Sequence, residues 1–310
     1  MERRRTVKAI QRRNLIITRA GPESKHRQWI AAQDAEPTFD ILVSAYHRAA
    51  LRADTEHVRH LHVPGPKVAG LNTTFRLRPE LLDRYQAIAL LDDDLEITTS
   101  ALNKCFELGA RRNLSIWQPA FSWDSYVSFA GSLANPFFEM RFVDYVEMGC
   151  PFFSTGMLKH VLPLFALGFE SGIDLVWCSI AKEQGGRCAI VDQCVIRHPR
   201  PVGGQMELNG FVGFDYGKHI DECLKLFSMH RPWLVASGAI TRGGRRISSS
   251  SLLALAAAVP FLSVFRAPPE KAPRYKMARA YLRRQITIRP AYGEGVSQRL
   301  CALTTEAAAT

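Results

Sequence analysis

Three consecutive carboxylates, Asp92-Asp93-Asp94, follow directly on an apolar run, Ala87-Ile88-Ala89-Leu90-Leu91. A run of this length and composition reads as a buried strand of a parallel sheet. In open α/β sheets, ligands bind outside the carboxyl ends of the strands. Three acids at such an end repel one another unless a cation or a proton separates them. The natural occupant is a hard divalent cation held by oxygen ligands and shared with a phosphate. Within a D-x-D site of this kind, Asp92 faces a nucleotide ribose or a metal-bound water, Asp93 lies beside it, and Asp94 binds the metal.

Other residues could share that chemistry. His198 follows Val195-Ile196-Arg197 at a second strand end, and a neutral imidazole is a good ligand for Mn²⁺ and similar metals. Asp174 sits at a glycine-led helix start, Gly172-Ile173-Asp174, and is a candidate general base for an acceptor hydroxyl. Glu147, just before Gly149-Cys150-Pro151, could hold an acceptor or sugar hydroxyl. Thr18 and Arg19 end the first strand, and Lys67 opens a helix after Pro64-Gly65-Pro66. These three are the candidate phosphate or base contacts, Lys67 because helix N–H groups favour anions. Trp117, Trp123 and Trp177 could stack on sugar rings, although core packing suits each of them better.

The elements that must position these groups can be read from the pattern. Strands are expected at Asn14–Thr18, Phe39–Ser44, Arg59–Val63, Ala87–Leu91 and Leu114–Gln118, the last stopped by Pro119. Helices are expected at Ser24–Gln33, at Lys67–Leu82 with a break near Arg78-Pro79, and after a Thr98 or Thr99 cap as far as Ala110. This alternation predicts a doubly wound, mostly parallel sheet flanked by helices. Beyond Pro119 the texture is aromatic and irregular. A half-buried strand is expected over Arg141–Met148, helices over Thr155–Leu167 and Ile173–Lys182, and a strand or hairpin over Cys188–Ile196. The expected organisation is a basic arm over 1–13, a catalytic domain over 14–204, and a basic, partly helical extension over 205–310 whose last ten residues are disordered.

The chain has 310 residues, 47% of them hydrophobic and 22% charged, with a formal net charge of +11. That length allows a sizeable core, and the charge favours anionic partners. The charge is scattered and no nucleic-acid motif is present, so nucleic acid is not expected. Seven cysteines without metal-type spacing point to reduced thiols and a cytoplasmic setting. The basic start lacks the apolar segment of a secretory signal. Leu252–Phe265 is too short to span a bilayer and contains Pro260; it reads first as a packed helix of the C-terminal extension, and its flanking Arg245, Arg246 and Arg266 would also suit peripheral contact with the inner face of a membrane.

Together these pieces resemble the GT-A glycosyltransferase superfamily and, more narrowly, the glycosyltransferase-like family of the domain of unknown function 707. The likeness lies in the order of elements over residues 14 to 203. Asn14–Thr18 comes first, then Lys67 leading a helix, Tyr85–Asp94, Trp117-Gln118-Pro119-Ala120, Phe142–Glu147, Gly172-Ile173-Asp174, and Val191-Asp192 to His198. The resemblance implies a GT-A-like (Rossmann-like) fold and a nucleotide-sugar donor bound through Mn²⁺ or Mg²⁺. It makes Asp94 and His198 the metal pair and Asp174 the acceptor-side acid, with a glycan or lipid-linked acceptor. Arg197 is a departure, a basic neighbour that would weaken the histidine as a ligand. Two other classes compete. One is a haloacid-dehalogenase-type phosphohydrolase with Asp92 as nucleophile, whose motif would normally follow the first strand. The other is a non-catalytic basic module that binds nucleotides or a membrane surface.

Overall fold

The computed structural model describes residues 12–31, 34–201, 213, 215–267 and 271–309. Among these, ten strands form one mixed sheet in the order β10-β9-β6-β8-β5-β7-β4-β1-β2-β3. The strands are β1 (Asn14–Ala20), β2 (Phe39–Ala45), β3 (Val58–His62), β4 (Ala87–Asp92), β5 (Ile116–Phe121), β6 (Phe138–Val143), β7 (Phe152–Ser154), β8 (Cys188–Ile196), β9 (Ala236–Thr241) and β10 (Arg246–Ile247). The block β3-β2-β1-β4 is parallel throughout. Short β7 is antiparallel to both β4 and β5, and β5 is parallel to β8. The carboxyl ends of β1, β4, β5 and β8 therefore lie along the same edge of the sheet.

Side chains alternate across the central strands, as the period of two requires. Leu15, Ile17, Ile88 and Leu90 enter one buried cluster with Trp177 and Phe153. Ile16, Ala89 and Leu91 enter another on the opposite face with Trp29, Phe106 and Phe152. Burial on both faces explains the unbroken apolar runs, and each such aliphatic side chain contributes roughly 1.5–3 kcal/mol.

The helices are α1 (Gln28–Ala31), α2 (Lys67–Leu77), α3 (Leu81–Arg84), α4 (Thr99–Arg111), α5 (Thr155–Val161), α6 (Trp177–Glu183), α7 (Tyr216–Leu226), α8 (Ser250–Ala256), α9 (Lys271–Thr287) and α10 (Val296–Ala309). Thr98 caps α4 by accepting a hydrogen bond from Ala101 N–H. The expected break near Arg78-Pro79 separates α2 from α3. The helix expected from Ser24 is shorter, starting at Gln28, and Gln33 lies outside the described residues.

Three expectations need revision. Pro119 does not stop β5, which runs on to Phe121. β7 pairs only with Ile116 and Trp117, so by Pro119 that side of β5 no longer needs an N–H donor, and the register with β8 slips between Pro119 and Ala120. The strand expected over Arg141–Met148 is instead Phe138–Val143, which leaves Glu147 in a loop. The last residues are helical, in α10, as far as Ala309. The boundary placed near Gly204 lies outside the described residues, and past it β9 pairs with β6 and continues the sheet.

Candidate active site

Asp92 is the last residue of β4, and Asp93 and Asp94 form the turn beyond it. An antiparallel bridge joins Glu96 to Arg197, with N–H···O bonds of 2.9 Å in both directions. It fastens the turn after β4 to the segment after β8, and His198 Nε2 stands 3.6 Å from Asp94 Oδ2. Arg197 sends its guanidinium to the surface, to Glu96 Oε2 at 2.8 Å and Asp124 Oδ2 at 2.7 Å. The basic neighbour is thus neutralised away from the imidazole.

The acid turn resists negative charge. Burial pushes Asp93 up to about 6, with the charges of Asp92 and Asp94 adding to it against a hydrogen bond from Gly21 N–H at 2.8 Å. Burial also raises the Asp94 carboxyl, as does the Asp92 charge, while His198 and Arg200 oppose the shift. Lys67 supplies a cation to one member, donating to Asp92 Oδ1 at 2.5 Å and to the Met148 carbonyl at 2.6 Å.

One expected nucleotide contact has another task. Arg19 is buried, donating to Ser44 Oγ at 2.8 Å, the Ser44 carbonyl at 3.1 Å and the Gly65 carbonyl at 2.7 Å. It clamps β1 and β2 to the turn that leads into α2. Gly70 makes room for it, because a Cβ there would come within 2.3 Å of the Arg19 Cζ. Thr18 is also fully buried, its Oγ1 without a hydrogen-bond partner. Neither residue lines the cleft described next. The N–H groups at the start of α2, expected to receive a phosphate, are taken by Glu170. It accepts from Val68 N–H at 2.8 Å and Ala69 N–H at 2.9 Å.

A cleft of about 830 Å³ opens beside the acid turn and collects Lys67, Asp92, Glu147, Asp174 and His198. Asp174 is the middle residue of a short 3-10 turn, Ile173–Leu175, that follows Gly172, whose φ of 92° suits glycine. Its Oδ2 accepts from Tyr145 Oη at 2.6 Å and Met148 N–H at 3.2 Å. Burial raises this carboxyl, and those two donors oppose the shift. Glu147 is held through its backbone N–H, which donates to Gln118 Oε1 at 2.6 Å. Its Oε1 is buried with no hydrogen-bond partner. Burial, with the Asp174 charge adding to it, pushes Glu147 up to about 7, against hydrogen bonding from Ser132 and Gln118.

The far wall of the cleft is cationic: Arg231, Lys276 and Arg284, with Trp233 among them. Sequence reasoning missed this wall and Glu170 alike. Trp117 and Trp177 are fully buried, and their indole N–H groups donate to the Cys105 and Val146 carbonyls, so both are core residues. Trp123 lines a separate hollow of about 610 Å³.

Among the described residues, no group of three or more His, Cys, Asp or Glu side chains gathers closely enough to hold a metal ion. A two-ligand arrangement does fit. Metal–oxygen bonds of about 2.1 Å put neighbouring ligands about 3 Å apart, close to the Asp94–His198 separation, and diphosphate and water commonly complete such a shell. His198 Nδ1 is buried without a partner, so Nε2 is the ring nitrogen turned to Asp94. The raised Asp94 carboxyl also marks a place where a cation would relieve repulsion.

No protein-family model matches the sequence, and no curated protein matches it significantly. Solved structures resemble it weakly. S. aureus TarS 1–349 in complex with UDP-GlcNAc is 13% identical with a TM-score of 0.41, over 89% of this chain and 72% of that one. GalNAc-T7 with UDP, GalNAc and Mn2+ is 10% identical with a TM-score of 0.47, over 71% of this chain and 48% of that one. The chain thus spans about half the length of the GalNAc-T7 chain. Likenesses of this degree assign no chemistry. What the chain itself has is a helix-flanked α/β sheet with an acid turn, a histidine and a deep cleft at one edge.

Proposed function

We propose that this chain is a metal-dependent glycosyltransferase of the GT-A type, which moves a sugar from a nucleotide-diphosphate donor to a glycan or lipid-linked acceptor. The observation that carries the reading is the pairing of Asp94 with His198, which lines a cleft that also holds Asp92, Asp174 and Glu147. The narrower likeness to the domain of unknown function 707 family rests on the order of sequence motifs alone.

Asp94 and His198, with Asp92 alongside, are the residues that would hold Mn²⁺ or Mg²⁺. When bound, such an ion offsets the charge that develops on a departing diphosphate. Lys67 holds Asp92 in place and puts a second positive charge at the same edge. Asp174, fixed through Oδ2 by Tyr145 and Met148, takes the proton of the acceptor hydroxyl at Oδ1. Glu147 orients that hydroxyl. Attack from the side opposite the leaving group inverts the anomeric centre.

A second reading exchanges the two acids. Glu147 has a free carboxyl oxygen and titrates at about 7, both of which suit a general base at neutral pH. The variants Asp174→Asn and Glu147→Gln separate the two, because only loss of the base abolishes turnover while donor affinity stays intact.

The finer expectation of membrane contact also has support. Leu252, Leu255, Leu262 and Phe265 are exposed, the last at 83%. Arg245, Arg246 and Arg266, all exposed, flank them, a pattern that suits an anionic lipid surface. No helix among the described residues is long and apolar enough to cross a membrane.

The testing experiment is a thermal-shift panel of UDP, GDP, CDP and their sugars, with and without Mn²⁺, repeated on Asp94→Ala. A metal-requiring shift for one nucleotide family, absent in the variant, is expected. A shift that is the same in Asp94→Ala would refute the site.

A further inference from the structure

The cationic wall of the cleft is not used by the donor chemistry above. Trp233 stands at its centre, in the loop between α7 and β9. The Arg284 Cζ, on α9, lies 3.8 Å from the Trp233 ring centroid, and the Arg231 Cζ lies 5.3 Å from it. Two guanidiniums share one indole, an arrangement that holds both planes in fixed positions.

Among the described residues, neither guanidinium has a carboxylate partner, and neither does Lys276, which lines the same cleft. Arg231 Nε is buried without a hydrogen-bond partner. Like charges gathered in one cleft are unfavourable unless an anion joins them. Burial, and after it the charges of Arg231 and Arg283, lower the Arg284 guanidinium's affinity for its proton.

The loop itself is strained where it presents these groups. Leu234 is fully buried with φ of 60°, a left-handed conformation that a branched side chain rarely adopts. Strain of that kind persists where the surrounding packing over-determines it, and it clusters at ligand sites. The wall also looks onto the acceptor acids. Arg231 is near enough to influence Tyr145, whose hydroxyl is bonded to Asp174.

We propose that Arg231 and Arg284, stacked on Trp233, form with Lys276 of the same cleft a subsite for a phosphate or carboxylate group carried by the acceptor saccharide. The chemistry is that of guanidinium forks on a planar or tetrahedral oxyanion. The subsite holds the acceptor by its charge and leaves a neutral hydroxyl to meet Asp174 and Glu147. The word acceptor rests on the transferase reading, while the anion subsite stands on the wall's own geometry. The same chemistry could instead meet the donor's diphosphate, and the test separates the two.

The experiment is titration calorimetry of the full chain with glucose 6-phosphate, glucuronate, neutral glucose and UDP, repeated on Arg284→Gln and Arg231→Gln. Far-UV circular dichroism melts check that each variant folds. Arg284→Gln is the safer substitution, because the Arg231 Nε is fully buried. We expect both charged sugars to bind, glucose not to bind, and each variant to weaken the charged sugars at least about tenfold. UDP affinity should change less than twofold. The proposal is overturned if the wild type does not distinguish charged sugars from glucose, or if Arg284→Gln binds them as the wild type does. An equal loss of UDP affinity would also overturn it, by assigning the wall to the diphosphate. Absence of UDP binding to the wild type would instead count against the transferase reading, and the sugar arms would still decide the subsite.

Discussion

His198 Nε2 faces Asp94 Oδ2 across 3.6 Å because the Glu96–Arg197 bridge fastens the ends of two strands that point the same way. Neither residue is drawn to the other by an element of its own. The sheet order places β4 and β8 on one side of the fold, and two backbone hydrogen bonds then fix the register of their exits.

Glu147 should make stability depend on pH. Its carboxyl titrates at about 7 in the folded chain, well above the usual glutamate range near 4.3. The folded state therefore holds a proton that the unfolded state has lost, and stability falls as pH rises through that window. Glu147→Gln removes the slope at this site. Urea unfolding at pH 5 and pH 8 should show the variant gaining about 2 kcal/mol over the wild type across that range. Asp93 and Asp94 contribute slopes of the same sign to both proteins, so the difference reports Glu147 together with its coupling to Asp174. Parallel curves would contradict the assignment.

Gly70→Ala tests the Arg19 clamp. In an ordinary helix interior, alanine is more favourable than glycine by roughly 0.5–1 kcal/mol. Here the new Cβ would meet the Arg19 guanidinium at 2.3 Å and force it from its bonds to Ser44 and Gly65. A net loss of about 2–3 kcal/mol in chemical denaturation is expected. A neutral or stabilising substitution would mean that the guanidinium is not held there.

Membrane contact predicts a dependence on lipid charge and on two exposed side chains. Vesicles of phosphatidylcholine with roughly a third phosphatidylglycerol should sediment the protein, and pure phosphatidylcholine should do so poorly. The double variant Leu255→Glu/Phe265→Glu should stay in the supernatant without a change in melting temperature, since both positions are exposed. Equal sedimentation of wild type and variant would sink the proposal.

The parts of the site that sit on strong local patterns were legible in the sequence. The apolar run into Asp92, the Thr98 cap and the break after Leu77 each follow from a few adjacent residues. The proposed metal pair, named there through a family resemblance, needs two strand ends to converge, and the sheet order brings Asp94 and His198 within 3.6 Å. What was not legible depends on distant partners. Glu170 reaches α2 from far along the chain, and nothing around either segment announces it. Arg19 looked like a phosphate ligand because only the fold reveals Ser44 and Gly65 as its acceptors. Arg231, Trp233 and Arg284 come from a loop and a helix in a stretch without clear strand or helix punctuation, and their meeting is purely tertiary.

The most direct measurement is Mn²⁺ binding followed by electron paramagnetic resonance, with and without UDP, on the wild type, Asp94→Ala and His198→Ala. The account predicts that UDP tightens Mn²⁺ binding to the wild type and that each substitution weakens the ternary complex at least about tenfold. Mn²⁺ binding that is untouched by both substitutions, or that ignores UDP, would contradict it.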